Sequence, residues 1–139
     1  MSESLPSPIQ VRAIDHVTLV VSNLEASRSF YADLIGMDEV PRPAFDFEGL
    51  WFQIGSTLLH LIREHDKSGP AGYLGNIDRA TSRSQHLAFR VDAAAQVGEV
   101  LKAKNVPLVS DVKRRPDGAT QVFARDPDGH VIEFCSEES

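Results

Sequence analysis

Short runs of apolar and β-branched residues alternate along the chain with one stretch of helical spacing, and the whole order then recurs. Ile14-Asp-His-Val-Thr-Leu-Val-Val21 is rich in β-branched residues and short enough for a buried strand, whose period of two places His16, Thr18 and Val20 on one face. Ser22 with Glu25 matches a capping box, after which Leu24, Ser27, Phe30, Tyr31, Leu34 and Ile35 follow helical spacing as far as Gly36, a suitable C′ residue. Met37 to Arg42 is a short strand that Pro41 and Pro43 confine to a sheet edge. Leu50 to Ile54 and Thr57 to Arg63 flank Gly55-Ser56 as a hairpin. This first half predicts βαβββ.

Residues 64–83 hold Gly69, Pro70, Gly72, Gly75 and several Ser and Asp without a sustained apolar period, and are expected to form a long connection. Gln85 to Val91 then begins a second series as a strand. Asp92 is a good N-cap, and Val97, Val100, Leu101 and Lys104 trace a helical stripe that Asn105 and Pro107 end. Pro107 to Val112, Ala119 to Ala124 and His130 to Cys135 are three strands joined by the turns Arg115-Pro-Asp-Gly118 and Asp126-Pro-Asp-Gly129. The expected fold is therefore α+β, with tandem βαβββ modules over about residues 11–63 and 84–135 of one domain, 1–139.

Polar residues inside these otherwise apolar strands occupy corresponding places in the two halves. His16 matches His86, and His60 matches Glu133. Glu is almost never buried without a partner, and two imidazoles with one carboxylate on rigid strands suit a divalent first-row ion, whose ligands must converge at about 2.0 to 2.2 Å. The bland alternative is a hydrogen-bonded buried network, and for His60 alone it weighs as much as ligation.

Composition narrows the partners. With 139 residues and 42% hydrophobic content, the chain can bury roughly two-thirds of its unfolded surface as one domain. Its single cysteine, Cys135, cannot close an internal disulfide, and the opening MSESLPSPIQ lacks the basic start and apolar core of an export signal, so a cytoplasmic protein is expected. A net charge of −6, with no basic block interleaved with aromatics, speaks against nucleic acid, and the apolar runs are too short to span a membrane.

Several motifs together resemble the vicinal oxygen chelate superfamily, which includes glyoxalase I, methylmalonyl-CoA epimerase, fosfomycin-resistance thiol transferases, extradiol dioxygenases and bleomycin-binding proteins. They are Asp15-His16-Val-Thr-Leu, Phe30-Tyr31-Ala-Asp-Leu-Ile-Gly36, Thr57-Leu-Leu-His60-Leu, Gln85-His86-Leu-Ala-Phe and Asp126-Pro-Asp-Gly-His-Val-Ile-Glu133-Phe. The resemblance implies two curved sheets that close a glyoxalase-type cupped barrel, completed in a homodimer, around one divalent metal ion (Zn, Ni, Mn, Co or Fe). By that likeness His16 and His60 of one subunit face His86 and Glu133 of the other. The implied activity is that of a metal-dependent lyase or isomerase on a small substrate with vicinal oxygens, through an enolate or enediolate. His60 stands where glyoxalase I has a carboxylate that is both ligand and base, so Glu133 or His60 would move the proton.

Competing functions are a drug-binding protein without catalysis, a fosfomycin thiol transferase and an extradiol dioxygenase. The thiol transferase is suggested by His16-Val-Thr18 and Leu61-Ile-Arg-Glu64 but disfavoured by the short segment after Glu133, and Tyr31 and Tyr73 are poor candidates for dioxygenase acid/base groups. Around the four ligands, Thr18 is expected as a plain strand residue, His65 and His130 as solvent-exposed, and Arg90 as a surface ion pair. Trp51, Phe52, Phe45 and Phe47 are expected either to line an apolar cup or to pack against the helix.

Overall fold

A computed structural model of the protein describes residues 7–137. The first module runs β1 (His16–Val21), α1 (Leu24–Arg28), β2 (Asp38–Val40), β3 (Gly49–Ile54) and β4 (Thr57–Arg63). The second runs β5 (Leu87–Arg90), α2 (Ala94–Ala103), β6 (Leu108–Arg114), β7 (Thr120–Arg125) and β8 (Val131–Ser136). Each module folds into its own four-stranded sheet, in the orders β1-β4-β3-β2 and β5-β8-β7-β6. The first and last strands of a module pair in parallel, and the remaining pairs are antiparallel. Both predicted βαβββ units are present, with β2 at a sheet edge as its flanking prolines require.

Strand alternation sorts the side chains. In the first sheet Val21, Leu50, Phe52, Leu59 and Leu61 are buried on one face, and in the second Phe89, Val122, Ala124, Ile132 and Phe134 do the same. These residues, with Phe30 and Tyr31 from the first module and Leu101 of α2, form one continuous apolar cluster. The opposite faces carry the polar strand residues.

Helix capping differs from expectation in both modules. Asn23, not Ser22, caps α1 by accepting from the Ala26 N–H at 3.0 Å, and the Ser22 N–H that a capping box would offer to Glu25 is donated to Asp128 of the other module at 3.0 Å. In α2 the N-cap is Ala93 and no side chain of its own turn caps it. Instead Ser136 Oγ on β8 accepts from the Ala94 N–H at 2.9 Å, so the sheet satisfies the orphan donor expected to fall to Asp92. Beyond Arg28 the helix widens into a π-helical stretch, Ser29–Leu34, in which the adjacent Phe30 and Tyr31 both reach the interior. Gly36, at φ +72°, ends it as predicted.

The turn Asp126-Pro-Asp-Gly-His130 ties the two modules together. Buried Tyr31 donates its hydroxyl to Asp126 Oδ2 at 2.7 Å, while Asp126 Oδ1 accepts from the N–H groups of Asp128 and His130. His130, expected at the surface, is half-buried and bonds through Nε2 to the Val20 carbonyl at 2.7 Å. Gly72, at φ +96°, passes so close to the Asp128 carbonyl that a Cβ there would collide with it. Burial of Asp126 raises its pKa against the opposing pull of the Tyr31 hydrogen bond. No helix among the described residues is long and apolar enough to cross a membrane.

Candidate metal centre

Register places the four candidate residues in equivalent relations. Thr18 lies beside His60 between β1 and β4, with His16 two residues earlier on the same face. Ala88 lies beside Glu133 between β5 and β8, with His86 again two residues earlier. The flanking strands agree, since Trp51 of β3 is opposite His60 and Phe123 of β7 is opposite Glu133. The correspondence His16/His86 and His60/Glu133 thus holds in the backbone as well as in the sequence.

In the first module the two imidazoles stack. Their ring centroids are 4.0 Å apart at 16°, and Trp51 continues the stack on the other side of His60 at 4.2 Å and 2°. His16 Nδ1 lies 2.8 Å from Asp15 Oδ2. A carboxylate only accepts, so Nδ1 carries the hydrogen. Burial lowers the pKa of His60, and the neighbouring His16 and Arg42 lower it further against the charge of Asp15. His60 is therefore held as a neutral imidazole, and its Nε2 is buried with no hydrogen-bond partner.

In the second module the pair is an imidazole and a carboxylate. Glu133 is 5% exposed, and its Oε1 lies 2.9 Å from His86 Nε2. His86 Nδ1 is 2.6 Å from the Ser84 carbonyl, again only an acceptor, so that nitrogen carries a hydrogen. Two groups with lone pairs, Nε2 and a carboxylate oxygen, would then face each other unless a cation lies between them, whether a proton or a metal. A backbone carbonyl holding Nδ1–H is also the arrangement that orients a metal-binding histidine. Glu133 Oε2 makes no hydrogen bond; its nearest cation is the Arg115 guanidinium at 3.6 Å. Phe123 supports the His86 ring edge to face at 5.0 Å.

Buried polar atoms are normally satisfied, and those that are not call for a specific account. Two of the unpartnered ones, His60 Nε2 and Glu133 Oε2, occupy equivalent positions of the two modules. That is the donor chemistry a divalent ion requires: neutral nitrogen and anionic oxygen, each fixed on a strand. Within one chain the four residues are brought together two by two: among the described residues no three of His, Cys, Asp and Glu form a single metal-binding group. A cleft of about 460 Å³ opens at the seam of the modules, with Thr18 on one wall, His86 on another and the connection around Tyr73 above.

The remaining expectations fall out as follows. His65 keeps 31% of its side chain exposed and stacks on Phe47 at 5.4 Å, and Arg90 pairs with Glu137 at 2.9 Å on the surface. Trp51 faces the cup, whereas Phe52 is wholly in the core. Residues that sequence reasoning missed are those that hold others: Asp15 and Ser84 on the histidines, and Arg115 beside Glu133. Only Asp15 had a signal, its adjacency to His16.

The chain has recognisable relatives. A family model for the glyoxalase/bleomycin resistance protein/dioxygenase superfamily matches residues 13–134. Over 132 residues the chain is 31% identical to a lactoylglutathione lyase of Neisseria meningitidis, covering 89% of this chain and 90% of that protein. It is 24% identical over 141 residues to Glyoxylase I 4 of Arabidopsis thaliana, covering 100% of this chain and 79% of the relative. A crystal structure of a glyoxalase/dioxygenase from Nostoc punctiforme superposes with a TM-score of 0.75 at 25% identity over the whole of both chains. By the match of its sequence and of its paired βαβββ sheets, this chain belongs to the glyoxalase/bleomycin resistance protein/dioxygenase superfamily.

Proposed function

We propose that the protein is a metal-dependent lyase or isomerase of glyoxalase type, acting on a small substrate with two neighbouring oxygens. The observation that carries this reading is the pair of buried donor atoms without a hydrogen bond at equivalent strand positions, His60 Nε2 and Glu133 Oε2. His16, His60, His86 and Glu133 would hold one divalent ion. Because a single chain pairs these residues two by two, the reading includes a homodimer in which His16 and His60 of one subunit face the partner subunit's His86 and Glu133.

When bound, the ion supplies Lewis acidity towards a substrate carbonyl, and a ligand set with one carboxylate leaves it with net positive character. The chain's own residues do the rest. Asp15 and the Ser84 carbonyl fix Nδ1–H on their histidines, so that both Nε2 lone pairs are aimed rather than averaged over tautomers. Glu133 Oε2, buried and without a hydrogen bond, can accept a proton from the carbon beside the carbonyl and return it to the neighbouring carbon. Where His60 does not ligate the ion, its neutral imidazole is the alternative acceptor, and the Trp51 ring keeps water from one of its faces.

The test combines elemental analysis of the purified protein with turnover of the hemithioacetal of methylglyoxal and glutathione. About one ion per site with turnover is expected, and Glu133→Gln should lose both. A protein that takes up no divalent ion, or a loaded one for which Glu133→Gln turns over like wild type, ends the proposal. A metal-free protein that tightly binds a cationic drug would instead be a sequestering member of the superfamily.

A further inference from the structure

Arg42 follows β2 at the rim of the first sheet, on the side where His60 and Trp51 stack. Its guanidinium lies 4.8 Å from the centroid of Phe45 and 5.0 Å from that of Phe47, and donates to the Phe47 carbonyl at 2.8 Å. Those contacts hold the side chain without neutralising it, since a phenyl face attracts a cation but carries no charge. Some other arginines meet carboxylates, as Arg28 meets Glu39 and Glu25 and Arg115 meets Asp117, while Arg12 meets Gln10 and Arg125 the Ile77 carbonyl. Among the described residues Arg42 has no acidic partner, although the chain as a whole carries a net charge of −6.

The backbone is shaped around this guanidinium. A Cβ at Gly49, the first residue of β3, would strike the Leu61 carbonyl, and the Arg42 side chain lies against the space this glycine leaves. From Arg42 a line of rings leads to the candidate metal centre. Phe45 stacks on Phe47 with centroids 5.1 Å apart, Phe45 leans on Trp51 at 6.2 Å, and Trp51 covers His60. Stapling the loop uses one of the five guanidinium N–H donors and leaves a fork that fits a carboxylate.

The geometry points to Arg42 as the anchor for a substrate carboxylate, with Phe45 and Trp51 as the aromatic wall beside it. Which end of the substrate reacts rests on the metal-centre proposal; the carboxylate anchor does not. The substrate class is then a small organic acid whose carboxylate is held at the Arg42 rim of the cup.

Trp51 is the only tryptophan, so its fluorescence reports ligands entering this cup. The full-length protein, as purified and after chelator treatment, is titrated with pyruvate, with uncharged butane-2,3-dione and with inorganic phosphate. Pyruvate should bind at least tenfold more tightly than the dione or phosphate. Arg42→Gln should lose that preference, and Arg42→Lys, which keeps the charge but not the fork, should retain part of it. Metal content is expected to be unchanged in both variants. Equal affinity for pyruvate and dione, a preference for phosphate, or wild-type pyruvate binding in Arg42→Gln would overturn the anchor; if that variant does not fold, wild-type binding in Arg42→Lys does so. Arg42-dependent pyruvate binding in a protein that takes no metal would end the metal proposal and leave the anchor standing.

Discussion

The two modules share a backbone plan and differ in what they place on it. In the first, a neutral imidazole is packed between another imidazole and an indole, with an arginine nearby that further disfavours its protonation. In the second, the equivalent position is a buried carboxylate facing a histidine whose other nitrogen is tied to a carbonyl. Stacking holds a neutral group at little electrostatic cost, whereas a buried carboxylate must have a cation. A duplicated scaffold can therefore supply a neutral, stacked position and a charged one without changing register. What each half requires of its surroundings follows from the charge of one residue.

That comparison can be broken. In chelator, His86→Ala should cost about 3 kcal/mol of stability, because it removes the imidazole that meets the buried Glu133 Oε1. His60→Ala should cost only about 1 kcal/mol, the worth of its stacking. Urea unfolding of the two variants measures the difference, and equal losses would mean that both half-sites are held by the same physics.

Tyr31→Phe should cost about 2 kcal/mol by leaving Asp126 without its buried donor, with metal content unaltered. Loss of metal in this variant would show that the turn linking the modules also shapes the half-sites. Asp126 sharpens the same point through pH. Its folded-state pKa is raised above the unfolded value, so its contribution is fully present below the unfolded pKa and is lost as pH rises through the raised one. Between pH 3 and 7 the urea midpoint of wild type should decline relative to that of Asp126→Asn as pH rises; a constant difference would place the titration elsewhere. Smallest of all, Asp15→Asn should weaken metal binding on the order of threefold, because the carboxylate that orients His16 is largely exposed.

Much of the architecture was legible in the order of apolar and polar positions. Both βαβββ units, the edge position of β2 and the left-handed Gly36 follow from period, proline and glycine, which act locally. The caps were not legible, because Ser22 is drawn off by Asp128 and the first N–H of α2 is met by Ser136, each from a distant part of the chain. His130 failed for the same reason: a residue after a turn looks exposed until the Val20 carbonyl is brought against it. Arg42 had a faint signal, a cation with aromatics three and five residues on, but its meaning depends on where those rings stack.

Sequence alone determined that two similar modules exist and that each carries two polar residues at matching places in its strands, because strand alternation and repeat order are properties of neighbours along the chain. Tertiary structure decided that His60 is neutral and Glu133 buried against His86, and that the four residues meet in pairs within one chain. Burial, tautomer and charge depend on atoms supplied by strands and turns far apart in sequence, and only folding brings those atoms into contact.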